Sequence, residues 1–109
     1  MNMPQNRPPT HPGEMLLEEF LKPLDMSQVE LAGRIHVSYP RINEIVRGKR
    51  GVSPDTALRL ERLFGMEAQV WLNLQQAWDL WQAQHAATAA ELASIEPLSV
   101  AERSAPYEG

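Results

Sequence analysis

The sequence predicts an all-α protein, a compact five-helix bundle that contains a helix-turn-helix, and three observations carry that prediction. Apolar residues recur at helical spacing, as in Leu31 and Ile35 or in Ile42, Ile45 and Val46. Ser27, Ser38 and Ser53 each stand just before such a run, where a hydroxyl can accept from the orphan amides of a helix start. Lys22-Pro23, His36-Val37 and Gly65 interrupt or close the runs. At 109 residues and 43% hydrophobic content, the chain can bury one core and not two.

Taken in order, Pro4, Pro8 and Pro9 cannot propagate a helix, so residues 1–11 are expected to form a flexible arm ahead of a domain at 12–84. The first helix starts near Pro12-Gly13, buries Leu16 and Phe20 at i, i+4, and is expected to stop at Lys22-Pro23. Ser27 and Glu30 have the spacing of a capping box, in which hydroxyl and carboxylate satisfy each other's backbone amides. The second helix then carries Leu31 and Ile35 on one face, with small Ala32 where a crossing helix approaches. His36-Val37 is the corner. A left-handed residue is needed there, for which glycine is the usual choice and histidine a strained one.

Ser38 caps the third helix, which turns Ile42, Ile45 and Val46 toward Leu31, Ile35 and Val37. Pro40 falls in its first turn, where a missing N–H is harmless. Ser53-Pro54-Asp55 supplies the fourth helix with a cap, a proline at the first position and an acid at the positive dipole end. That helix is expected to bury Ala57, Leu58, Leu60, Leu63 and Phe64 before Gly65 ends it. The fifth runs from about Glu67 to at least Gln84, and Ala86 to Ala93 reads as its extension. Residues 85–109 thus form a helical extension and a tail, with disorder expected beyond Pro97.

The outward face of the third helix carries the functional argument. At 100° per residue, Pro40, Asn43, Glu44 and Arg47 point away from the apolar stripe, with Tyr39 and Arg41 at its flanks. In a helix-turn-helix of about residues 27–47, that face enters the major groove of double-stranded DNA. The candidate contacts are Gln28, Ser38, Tyr39, Pro40, Arg41, Asn43, Glu44, Arg47, Lys49 and Arg50. Arg41 could pair bidentately with a guanine, and Glu44 could accept from a cytosine amine. The Gly48-Lys49-Arg50-Gly51 loop offers cations and amides to phosphates, which position without specifying sequence.

Charge agrees, despite a net of −4. Between Ser27 and Arg62, seven basic residues (Arg34, Arg41, Arg47, Lys49, Arg50, Arg59, Arg62) face four acids (Glu30, Glu44, Asp55, Glu61), leaving −7 on the rest of the chain. Positive charge on the reading module is what steering toward a phosphate backbone requires.

On the fifth helix, Val70, Trp71, Leu74, Ala77, Trp78 and Trp81 share an arc of roughly 120°, while Leu72 and Leu80 lie outside it. Two readings remain open: a tryptophan core, or a core shared with a homodimer contact through Trp71, Leu72, Leu74, Trp78, Leu80 and Trp81. A two-fold dimer would set two reading helices about 34 Å apart and match a palindromic operator.

Several classes are excluded or disfavoured. There is no cysteine, hence no disulfide or thiolate metal site. No metal or other cofactor is expected, since His36 has no second ligand at turn or helical spacing. Enzymatic function is not expected either, because His11, His36 and His85 lie far apart and neighbouring Glu18 and Glu19 point to different sides of a regular helix. No apolar stretch approaches a membrane span and no leader is apparent, so a cytoplasmic protein is expected. No internal repeat is present.

Arg7-Pro-Pro-Thr-His-Pro-Gly-Glu-Met-Leu-Leu-Glu-Glu-Phe-Leu-Lys-Pro-Leu, Ser27-Gln-Val-Glu-Leu-Ala, Arg41-Ile-Asn-Glu-Ile-Val, Gly48-Lys-Arg-Gly-Val-Ser-Pro-Asp-Thr-Ala-Leu-Arg-Leu and Trp71-Leu-Asn-Leu-Gln together resemble the HigA-type antitoxins of bacterial addiction modules. These belong to the Cro/repressor, or lambda-repressor-like, helix-turn-helix class, and the resemblance covers about residues 7–82. It implies a dimer that represses its own operon and neutralises a RelE-like messenger RNA endonuclease toxin. His36 and Tyr39-Pro40 depart from the usual corner and helix start, so the operator sequence does not carry over. Complementary charge offers Glu14, Glu18 and Glu19 as toxin contacts, beside the plainer reading of a solvated acidic face. A stand-alone repressor without a toxin is the alternative function.

Overall fold

In the computed structural model, which describes residues 7–99, there are six helices, the first five of which enclose one core, and the described residues contain no strand. Helix α1 is one rod in three parts: Pro12–Leu16, a π-helical turn Leu17–Leu21, and Lys22–Leu24. It is followed by α2 (Gln28–Ile35), α3 (Tyr39–Val46), α4 (Pro54–Phe64), α5 (Ala68–Gln84) and the short α6 (Thr88–Ala93). Helix α1 packs on α3 and α5, α2 on α3 and α4, and α4 on α5.

Leu16, Leu31, Ile42, Ile45, Ala57, Leu60 and Trp71 are completely buried, so every one of the first five helices feeds the same core. Phe20 packs on Phe64 with centroids 4.6 Å apart and on Trp71 at 5.5 Å. Those aromatic contacts tie α1 to both α4 and α5.

Three expectations about the elements need correcting. Pro23 does not end α1: the Lys22 amide donates to Leu17, five residues back, and the helix runs on to Leu24 before Asp25 turns left-handed at φ 52°. A proline ring clashes with the carbonyl four residues before it in a regular helix, and the wider π turn just ahead of Pro23 changes that register. Leu58 is 58% exposed and lies outside the core of α4. Ala86–Ala93 does not continue α5. His85 stacks on Trp81 and its Nδ1 lies 2.8 Å from the Trp81 carbonyl, the helix ends at Gln84, and α6 starts afresh at Thr88.

His11, counted in the expected arm, belongs to the start of α1. His11 is buried and its Nδ1 accepts from the Gly13 amide at 2.8 Å, so the side chain is the N-cap of α1. Residues 1–6 of the expected arm and 100–109 of the expected tail lie outside the described residues.

Candidate nucleic-acid interface

Helices α2 and α3 meet through buried Leu31, Ala32 and Ile35 on one side and Ile42 and Ile45 on the other. Ser27 Oγ accepts from the Glu30 amide at 3.0 Å, and Ser38 Oγ from the Arg41 amide at 3.3 Å. The reciprocal half of the Ser27 capping box is absent, because Glu30 Oε2 instead accepts from Arg34 Nε at 2.9 Å. His36 occupies the left-handed region at φ 60° and ψ 46°, as the corner demands.

With the apolar side of α3 clamped inward, Tyr39, Pro40 and Arg47 are exposed, and Arg41, Asn43 and Glu44 are half-buried on the same helix. Gly48, Lys49 and Arg50 continue the exposed surface beyond its end. Ser38, also exposed, is committed through Oγ to capping. Several candidate contacts are already paired within the protein. Asn43 Nδ2 donates to Gln28 Oε1 at 3.1 Å, joining α3 to the start of α2. Arg50 Nε donates to Glu44 Oε1 at 2.7 Å, so the carboxylate offered to a cytosine amine is engaged by the loop. Arg41 Nη1 lies 3.9 Å from Asp55 Oδ2.

Two residues that sequence reasoning missed hold this surface in place. Arg59 donates through Nη1 to the Ile35 carbonyl at 2.9 Å and to the His36 carbonyl at 3.4 Å, while its Nε donates to Asp55 at 2.9 Å. It therefore satisfies carbonyls at the end of α2 and fixes α4 against the corner. The Asp55-to-Arg59 spacing of four was the available signal. Gln75 of α5 accepts from the Val52 amide at 2.8 Å and anchors the loop after α3. Nothing local to Val52 announces that partner.

Elsewhere the predicted sites divide. Trp71 is wholly buried and has no surface to offer a second copy, and Leu72 packs against the core. Leu74, Trp78 and Trp81 are half-buried, and Leu80 is 59% exposed. The ring of Trp78 meets His11 edge-on at 5.0 Å. On α1, Glu14, Glu18 and Glu19 all line one open groove of about 390 Å³ with Met15, Phe20 and Met66. Glu18 and Glu19, expected on different sides of a regular helix, both line this groove and both lie within the π turn Leu17–Leu21.

The fold and this interface define a helix-turn-helix domain of the Cro/C1 type, and residues 17–71 match the family model described as Helix-turn-helix. The chain is 58% identical over 77 residues to virulence-associated protein I of Dichelobacter nodosus, covering 71% of each. It is 40% identical to the HTH-type transcriptional regulator YbaQ of Escherichia coli, over 85% of this chain and 83% of that one. The solved antitoxin HigA of Pseudomonas aeruginosa, crystallised with the higBA promoter, superposes with a TM-score of 0.79 at 46% identity, over 84% of this chain and 99% of that one. The chain belongs to the helix-turn-helix family and, within it, to the DNA-binding antitoxins of the HigA type, which are regulators and not enzymes. No helix among the described residues is long and apolar enough to cross a membrane.

Proposed function

We propose that the protein is a homodimeric operator-binding antitoxin: α3 enters the major groove, represses the protein's own operon, and a RelE-like messenger RNA endonuclease toxin is held on another face. The observation that carries the DNA half is the division of α3, with Ile42 and Ile45 wholly buried and Tyr39, Pro40 and Arg47 open to solvent beside a loop of two cations. The Pseudomonas relative was solved with the higBA promoter, which supports DNA as the ligand. Arg41 is assigned to a base edge, and Arg47, Lys49 and Arg50 to phosphates. The acidic groove of Glu14, Glu18 and Glu19 is assigned to the basic toxin, on complementary charge.

A gel shift with the protein's upstream DNA at two salt concentrations tests the DNA assignment. Arg41→Ala should cost about 1–3 kcal/mol and relax base preference, whereas Arg47→Ala should reduce the salt slope by about one ion. Equal behaviour of both variants and the parent would sink it. Glu14→Lys with Glu18→Lys should weaken toxin capture while operator binding survives, and unchanged capture removes the groove from the reading.

A second reading, a stand-alone repressor with no toxin, is favoured by the 40% identity to the Escherichia coli HTH-type transcriptional regulator. An adjacent open reading frame for a small basic protein that copurifies decides for the first reading, and its absence for the second.

A further inference from the structure

Asp55 sits where α4 begins, beside the reading helix but outside the set of residues assigned to DNA. Its side chain is 61% exposed, and Oδ2 stands 2.9 Å from Arg59 Nε and 3.9 Å from Arg41 Nη1. Arg59 is itself pinned to the Ile35 and His36 carbonyls. The carboxylate is thus fixed from the scaffold side, and Arg41, 39% exposed and making the longer contact, reaches toward it from the reading helix. Arg41, Arg50, Gly51, Ser53, Asp55 and Thr56 line a single open cavity of about 310 Å³ between the reading helix, its following loop and the start of α4.

We infer that Asp55 is a specificity-determining residue, which acts by holding Arg41 for a base edge and by opposing its capture by phosphate. This rests on the reading proposed above, in which Arg41 meets a base. A guanidinium carries five N–H donors in a rigid fork, so Arg41 can give two to guanine O6 and N7 and keep another toward Asp55. At a cognate base the ion pair and the base contact therefore coexist. A phosphate brings its own negative charge beside the fixed carboxylate, and like charges repel. Asp55 consequently weakens binding to unrelated DNA more than binding to the operator. The three cations Arg47, Lys49 and Arg50 supply backbone affinity that is indifferent to sequence. A carboxylate on the rim counters that indifference at the one arginine assigned to a base.

The test measures Kd for the operator and for a scrambled duplex of equal length with the full chain, with Asp55→Asn, Arg41→Ala and the double variant. Asp55→Asn should tighten scrambled binding more than operator binding and lower the operator-to-scrambled affinity ratio, the scrambled Kd divided by the operator Kd, about tenfold, the scale of one bidentate contact. In the Arg41→Ala background, the same change should leave the ratio unmoved. Asp55→Glu restores the charge and should recover part of the ratio, with a urea midpoint on each variant separating this from a change in helix stability. A normal fall in the ratio for Arg41→Ala with an intact ratio for Asp55→Asn overturns this inference alone. An Arg41→Ala protein with the parent's ratio overturns both the base assignment and this inference.

Discussion

Gly13 and His11 show how single residues couple the start of α1 to the reading helix. A Cβ on Gly13 would lie 2.7 Å from the Ile45 carbonyl carbon and still closer to its oxygen, both rigid backbone at the end of α3. Gly13→Ala should therefore destabilise by about 1–3 kcal/mol, the usual penalty of overpacking, read as a lower urea midpoint with unchanged m. Burial lowers the pKa of His11, against the opposing pull of Asp79 and Glu14, where its Nδ1 accepts from the Gly13 amide and caps α1. A folded pKa below the unfolded value near 6.5 means that the unfolded chain binds the proton first. Stability should hold above that value and fall as the pH drops below it, and His11→Asn, which keeps a capping oxygen and cannot titrate, should flatten that part of a thermal midpoint against pH. The proline-rich start and Gly13 were visible in the sequence, but their close approach to Ile45 was not. It depends on two segments more than thirty positions apart coming together, and no local pattern encodes that.

At the scale of elements, the caps and the corner were legible because their chemistry is local. Ser27, Ser38 and Ser53 each accept from the amide three residues on, as their positions beside apolar runs required. His36 adopts the left-handed conformation without being glycine. That backbone costs a non-glycine residue roughly 1–2 kcal/mol, while glycine gives back about 0.5–1 kcal/mol in unfolded-chain entropy. His36→Gly should therefore stabilise by about 0.5–1 kcal/mol in chemical denaturation and leave operator affinity unchanged; a loss of stability would assign the imidazole a packing role. What the sequence hid were breaks in helical period. A reading at 100° per residue cannot foresee the π turn at Leu17–Leu21, nor that Pro23 is tolerated after it. The same assumption separated Glu18 from Glu19, although both line one groove. The sequence carries α5 to at least Gln84, where it ends, but hides that Thr88–Ala93 forms a separate helix, since His85 turns its ring onto the Trp81 carbonyl between the two.

Across the whole molecule, the fold class followed from patterns that repeat in every helix, whereas the surface for self-association rests on what the core leaves over. Of the six residues named for a dimer, Trp71 is absorbed into the core and Leu72 packs on it, while Leu80 remains 59% exposed. Leu92, Ile95 and Leu98 in and after α6 are exposed as well. Leu80 is therefore the position at which association and folding separate most cleanly. Leu80→Asp removes little buried area within the chain, so its stability should change by no more than about 0.5 kcal/mol. If Leu80 is shared between two copies, burying an unpaired carboxylate there is costly, and the variant should sediment as a monomer at concentrations where the parent is a dimer. Operator binding then supplies an independent reading. A dimer engages the second half-site of a palindrome at the high effective concentration set by its rigid link to the first, and a monomer loses that advantage. Leu80→Asp should bind a single half-site like the parent and lose affinity only for the full palindrome. A variant that still sediments as a dimer would move the interface off this face of α5, and a matching loss on the isolated half-site would mean that the substitution disturbs the reading helix itself.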